Sequence, residues 1–285
     1  MDLDPQSPTD VEYLCDLLVS GLSVGDLDIP ALSDSVVRLL ELCRAEEYRV
    51  ESVVGVVSRD AALAGQVLQV ANSAVYAPRV PIDSVGQAVT RLGARALSEI
   101  ALAMMMKERV FRSDNRHAVE MKGLWLHASI AGIYALNIGL LRRADAEATM
   151  LVGLLHDVGR PLVIKMLDDI EGLSGVQLDQ ETRDEVVDTL HAEVGALLIR
   201  DWGLPAQLEA AAANHHQPFA PSEHRESALI AHLADELAHW AADPDSRDAG
   251  DLRDHLAIRT LEIPEDALGG LFSDPQRVRD LAACF

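Results

Sequence analysis

Apolar positions recur with helical spacing along most of the chain. Val11–Leu22 reads as a short amphipathic helix behind a polar leader, and Asp28-Ile-Pro-Ala-Leu-Ser-Asp34 as a turn into the next one. Val36, Leu39, Leu40 and Cys43 then share one face at i, i+3, i+4 and i+7. Val53, Val54, Val56 and Val57 form a second apolar cluster. Asp60 is placed to cap the helix carrying Leu63, Val67 and Leu68, because its carboxylate can accept the free N–H groups of the first turn. Asn72-Ser-Ala-Val-Tyr76 ends that helix, and Pro78 and Pro81 mark a loop. Ser84 is the expected cap of a helix through Ala88 and Leu92, closed by Gly93. Ala94–Lys107 predicts a further helix, with Met104–Met106 as packing residues.

A second half follows the polar link Arg112–Asn115. Leu124–Leu141 and Glu147–Val158 predict helices, the second ending in His156-Asp157-Val158-Gly159-Arg160. The acidic stretch Glu171–Thr189 reads as partly loop, with Asp179–Asp188 a solvated run. Helices are expected at His191–Trp202, Pro205–Asn214 and Glu223–Trp240. Gly203 suits the left-handed residue that ends a helix, and Pro205 suits the first turn of the next. The acidic tail from Ala241 predicts one or two short helices. No segment has the period of a strand, and none repeats. The fold class is therefore all-α.

Composition narrows the picture. Apolar residues make up 49% of the chain, too many for a disordered acidic protein, and only 4% are aromatic. Against 24 Lys+Arg stand 46 Asp+Glu, for a net charge of −22. That excess argues against general nucleic-acid binding and against docking on an anionic membrane. No run reaches about 18 uninterrupted apolar residues, so no membrane span is expected. Cys15, Cys43 and Cys284 form no CxxC pair, and with no signal-peptide core at Met1–Asp10 the expected location is cytoplasmic.

The candidate chemistry lies in the histidines. His156-Asp157 ends the apolar segment Leu151–Leu155, where a carboxylate is costly to bury without a partner. A metal cation is one such partner and a nearby Arg another. His127, His191, the pair His215-His216 and Asp235 stand on separate predicted helices, as bundle-core metal sites require. Imidazole and carboxylate ligands suit Fe, Mn, Zn or Ni better than Ca or Mg. His117, His224, His232, His239 and His255 read as surface or ordinary packing residues.

The order His127 … His156-Asp157 … Asp235 resembles the metal-binding signature of the HD phosphohydrolase superfamily. His191 and His215-His216 resemble the added ligands of its two-metal branch, the HD-GYP phosphodiesterases. The nearer resemblance is to the HDOD family, HD-related output domains of bacterial signalling proteins. It rests on Ile29-Pro-Ala-Leu32, on Ser58–Leu63 running into Val70–Tyr76, on Ser84 with Ala88–Gly93, and on Gly153–Gly159 with His191–Gly195 and Trp202–Pro205. The Asn72-Ser-Ala segment and the Leu92-Gly93 that follows are specific to HDOD; the His-Asp pair alone is not. Gln217-Pro-Phe-Ala220 stands where the HD-GYP pattern has an acidic residue and Gly-Tyr-Pro. Arg160 replaces the usual Lys.

The resemblance implies a helical N-terminal subdomain (22–115) packed on an HD-like helical subdomain (116–220). Residues 1–21 would form a leader and helix, and 221–285 a C-terminal extension completing the HD-like part. His127, His156, Asp157 and Asp235 would hold one divalent ion, with Asp157 bridging to a second on His191, His215 and His216. The function implied is a regulatory or scaffold protein of signal transduction, with signalling proteins or a second copy as partner. The alternative is a metal-dependent phosphohydrolase acting on cyclic dinucleotides or other nucleotide phosphates, with Arg160, or less suitably Lys165, clamping the phosphate. No GGDEF-, EAL- or receiver-type segment is present, so the expectation is a stand-alone protein.

Overall fold

A computed structural model describes residues 10–24, 30–45, 48–72, 80–113, 116–142, 146–245 and 248–283. Most of the Asn72–Tyr76 segment, the polar leader, Ile29 and Cys284 lie outside these residues. Among those described, all regular structure is helical.

The first helices are α1 (Val11–Val24), α2 (Asp34–Arg44), α3 (Val50–Val57), α4 (Ala61–Ala71) and α5 (Val85–Met105). Their starts follow the capping residues. Ser33 accepts from the Val36 N–H at 3.4 Å, Asp60 from Leu63 at 3.0 Å and Ser84 from Gln87 at 3.3 Å. α2, α3 and α4 all pack on α5, burying Val36, Leu39, Val53, Val57, Leu63 and Val67 against Ala88, Leu92 and Leu97. Gly93 interrupts α5 with φ +79°, a conformation open to glycine at no steric cost, so the two expected helices meet at a kink. The α-helix ends at Met105 and continues as a π turn, Met106–Val110, in which the Phe111 N–H bonds the Met106 carbonyl at 3.0 Å.

The second half is built around α6 (Ala118–Leu141). This helix is buried on nearly every side, at Met121, Trp125, Ala128, Ala131, Tyr134, Ala135 and Ile138. It begins six residues earlier than Leu124, because Met121 and Trp125 continue its inward stripe. By length and composition α6 resembles a membrane span, yet it is mostly covered by its neighbours, as a core helix is. Around it lie α7 (Ala146–Leu155), α8 (Gly159–Ser174), α9 (Gln180–Asp201), α10 (Ala206–Asn214) and α11 (Arg225–Ala242). The strongest pairings are α6 with α7, α8 with α9 and α11 with α6. α1 crosses to pack on α9, and Trp202 Nε1 donates to the Pro30 carbonyl at 2.8 Å, so both halves share these contacts.

Four details differ from the helices expected from periodicity. α8 was not expected, because Gly159 and Pro161 stand at its start. Both are tolerated in a first turn, where the N–H groups lack helical partners. α9 begins at Gln180, capped by Asp179, whose carboxylate accepts from the Thr182 N–H at 2.8 Å, and so takes in most of the acidic stretch expected to be loop. The acids lie mainly outward, while Arg183, Val186, Val187 and Leu190 keep an inward helical stripe. The tail forms four short helices rather than one or two: α12 (Ala249–Arg253), α13 (Leu256–Thr260), α14 (Glu265–Phe272) and α15 (Pro275–Ala282). At the Gly203 junction φ is +61° as expected, but Pro205 stands at the N-cap, one residue before α10.

An ion cluster ties α6, α8 and α9. Arg183, 5% exposed, pairs with Asp168 and Glu171, each at 2.9 Å. Arg116 pairs with the same two acids, and the Leu178 N–H donates to Glu171 at 2.7 Å. His117 sits inside this cluster, 3.1 Å from Asp168 and 2.7 Å from Glu120. Burial works against charge on Asp168 and Glu171, but the arginines hold both below the ordinary carboxylate range, helped at Glu171 by the Leu178 N–H. Their stabilisation is therefore present above about pH 4.5 and is lost as pH falls through the lowered folded values. Glu171→Ala leaves Arg183 buried with one of its two carboxylates, and equilibrium denaturation should show a loss of about 3 kcal/mol at pH 7. The same variant should lose less further stability than the wild type between pH 5 and pH 3.

Candidate metal centre

Five helical segments deliver their chemistry to one place. His127 projects from α6. His156 and Asp157 form the turn between α7 and α8. His191 lies in the middle of α9, not at its start, while His215 and His216 follow α10 and Asp235 sits on α11. All seven ligand candidates from the sequence converge. His239, read there as a packing or surface residue, joins them one turn beyond Asp235, its Nε2 3.2 Å from Asp235 Oδ1. The i, i+4 spacing of Asp235 and His239 was a signal available in the sequence.

Two glycines make the turn possible. A Cβ on Gly153 would stand 2.3 Å from the Ala131 carbonyl oxygen of α6. One on Gly159 would stand 2.0 Å from the His191 carbonyl oxygen and 2.7 Å from the Gly195 nitrogen. The absent side chains let α7 close on α6 and α8 close on α9, which places His156-Asp157 between the other ligands.

Backbone carbonyls orient three of the imidazoles. His156 Nδ1 lies 2.7 Å from the Gly153 oxygen, His191 Nδ1 2.9 Å from Val187 and His215 Nδ1 2.9 Å from Ala212. Each carbonyl can only accept, so Nδ1 carries the proton and Nε2 is turned toward the centre. There, His191 and His215 Nε2 each stand 3.4 Å from Asp157 Oδ1. His156 Nε2 is 3.5 Å from Asp235 Oδ1 and 3.7 Å from Asp157 Oδ2. His127 Nε2 is 3.0 Å from Asp235 Oδ1, and the Nε2 atoms of His191 and His216 are 2.8 Å apart. These separations are close to the roughly 3.0–3.5 Å between neighbouring ligands when each lies about 2.0–2.2 Å from a shared ion. The Nε2 atoms of His127, His156 and His215, with Asp157 Oδ1 and Asp235 Oδ1, are buried and lack an aligned hydrogen-bond partner. Three overlapping groups have ligand atoms mutually within 4.8 Å: Asp157 with His191, His215 and His216; His127 with His156 and Asp157; and His127 with Asp235 and His239.

The electrostatics call for positive charge. Burial opposes ionisation of Asp157 and Asp235, yet the surrounding imidazoles hold both well below the ordinary carboxylate range. Burial would also lower His156, but Asp157 and Asp235 outweigh it and hold the imidazole up at about 9. Burial prevails at His191, pushed down to about 4, and lowers His127 and His216. One proton on His156 thus answers part of the negative charge and leaves most of the orphaned atoms without a partner. A divalent ion answers both needs. Arg160 donates from Nε to Asp157 Oδ2 at 2.8 Å and from Nη1 to Asp188 Oδ1 at 2.7 Å, so its charge is engaged by two carboxylates. Lys165 donates to the Arg109 carbonyl at 3.0 Å.

The sequence profile of the HDOD domain matches residues 29–218. An uncharacterized protein of Treponema pallidum (strain Nichols) is 27% identical over 231 residues, covering 76% of this chain and 44% of that protein. The chain thus spans less than half the length of that relative. A Shewanella amazonensis SB2B protein, provisionally named a metal-dependent phosphohydrolase, superposes with TM-score 0.74 at 18% identity, over 95% of this chain and 99% of the other. An HDOD domain protein of unknown function from Geobacter sulfurreducens gives 0.73 at 20% identity, over 97% and 99%. At these identities the likeness is one of fold.

Gly159→Ala should destabilise by roughly 3 kcal/mol or more, since both close atoms belong to backbone. Gly55→Ala, in α3 with nothing within 4 Å of the added Cβ, is the control and should be neutral or stabilising. Thermal unfolding of both variants measures the difference; equal melting temperatures would mean that α8 does not depend on the close approach to α9.

Proposed function

The chain belongs to the HDOD domain family, and on that premise we propose that it is a cytoplasmic regulatory or scaffold protein of bacterial signal transduction with a divalent-metal centre in its HD-like half. The observation that carries the metal is the set of five buried, orphaned nitrogen and oxygen atoms facing one another among imidazoles oriented by backbone carbonyls. His127, His156, Asp157 and Asp235 would hold one ion, with His239 at its rim. His191, His215 and His216 would hold a second, with Asp157 between the two. Nitrogen-rich ligands select Fe, Mn, Zn or Ni. The regulatory reading draws on the family and on Arg160, whose guanidinium is committed to Asp157 and Asp188. In this reading Arg160 positions Asp157 rather than receiving a phosphate. Signalling proteins or a second copy of the chain would be the partners.

The phosphohydrolase reading has one observation in its favour: the overlapping ligand groups suit a pair of ions. Such a pair would supply an activated water and a clamp for a phosphate. In that case Asp157 would orient both metal sites and Arg160 would hold Asp157 in place.

Metal content by mass spectrometry after anaerobic purification tests the proposal. The wild-type protein should carry between one and two equivalents of transition metal. His156→Ala and Asp157→Ala should each lose most of it, Asp157→Ala from both sites. Less than about a tenth of an equivalent in the wild type would remove the metal from either reading. Turnover of a cyclic dinucleotide or a generic phosphodiester by the metal-loaded protein, abolished by Asp157→Ala, would replace the regulatory reading with the hydrolase.

A further inference from the structure

The π turn Met106–Val110 forms part of the wall of a cavity of about 810 Å³, bounded by α5, the first turns of α6 and the end of α15. The volume is that of a small-molecule site, roughly 300–1,000 Å³. A π turn is rare, and it recurs at functional sites because it re-aims side chains that a regular helix would point elsewhere. Here it carries Lys107, whose ammonium stands over the Trp125 indole, 5.8 Å from the ring centroid.

The cavity has two chemical sides. One is apolar: Met104, Phe111, Met121, Trp125 and Leu126. Phe111 and Trp125 meet edge to face at 5.3 Å, a rigid arrangement, while the methionines can adapt to a ligand's shape. Leu126 remains 38% exposed beside them. The other side is cationic. Among its described lining residues the cavity has Lys107, Arg112 and Lys122 against one acid, Glu108. In the whole chain the acids outnumber the bases, 46 to 24, so this lining inverts the balance of the molecule. A local cationic patch on a protein of net charge −22 selects for a small anion that can enter it and excludes a polyanion too large to do so.

We propose that this cavity binds a small amphiphilic anion, with an apolar body against Met104, Met121 and Leu126 and a carboxylate or phosphate head at Lys107, Arg112 and Lys122. The site would be an effector input. Its walls come from both halves of the chain, and Trp125 and Leu126 directly precede His127 on α6. An occupant bearing on these residues therefore bears on the helix that carries a ligand of the metal centre. The cavity and its lining are the same whether or not that centre holds metal or turns over substrate.

The test uses 1-anilinonaphthalene-8-sulfonate as the anionic probe and N-phenyl-1-naphthylamine as its uncharged counterpart, titrated into the folded full chain by fluorescence. One saturable site for the sulfonate is expected, with the uncharged analogue at least about tenfold weaker. Lys107→Ala with Lys122→Ala should weaken sulfonate binding by about tenfold or more, and Leu126→Asp should do the same. Arg38→Ala with Arg59→Ala, in the separate groove between α2 and α3, is the control and should leave binding unchanged. Circular dichroism melts establish that each variant is folded. Equal affinity for the two probes, binding untouched by the lysine and Leu126 changes, or an equal loss in the control would overturn the proposal. Displacement of the sulfonate by millimolar inorganic phosphate alone would also overturn it, because the apolar wall would then contribute nothing.

Discussion

The convergence of helices on the candidate centre answers to two buried carboxylates. Asp157 and Asp235 sit among helices, 9% and 8% exposed, where an isolated negative charge is costly. Their partners cannot come from one helix, because a single helical face offers too few side chains at the right distance. They come instead from α6, α9, α10, α11 and the turn between α7 and α8. The convergence of five segments is thus the structural cost of the two acids, and the ligand cluster is its result. Gly153 and Gly159 serve the same end, since a methyl group at either position would hold the helices apart.

Charge is arranged differently inside and outside. The molecule as a whole is strongly acidic, but the centre contains two of its 46 acids among six imidazoles. Arg160 is close by and spans Asp157 and Asp188. It is a fixed counter-charge that aims one carboxylate inward. The Arg116–Arg183 cluster performs a similar task at the other end of α8, where two guanidiniums satisfy Asp168 and Glu171. α8 is therefore secured at both ends by ionic contacts to α9, and the position of Asp157 follows from it.

Local chemistry was more legible in the sequence than continuity. Asp60, Ser84 and Gly203 announced their roles because capping and left-handed geometry depend on one residue and its neighbours. The His-Asp pair and the scattered histidines were visible for the same reason: few other roles suit such groups beside an apolar helix. α8 was hidden because glycine and proline at a first turn look the same as in a loop. The start of α9 was hidden by its acids, although Arg183, Val186, Val187 and Leu190 carried the helical period beneath them. His239 stands one turn beyond the candidate ligand Asp235, and that i, i+4 spacing is the one sequence signal that sets it apart from the other histidines. The π turn leaves no periodic trace, because it adds a single residue to one turn.

Burial differs along the row of candidate ligands. His156 and His215 are fully buried, and His191 is 1% exposed. At the two ends, His216 and His239 are exposed. A site built solely to pin helices closes all its ligands around the ion. This one has a rigid middle, with imidazoles fixed by backbone carbonyls, and rims reached by water. An ion bound here would have to draw the rim histidines out of water, so they would add less net affinity than the fixed interior set.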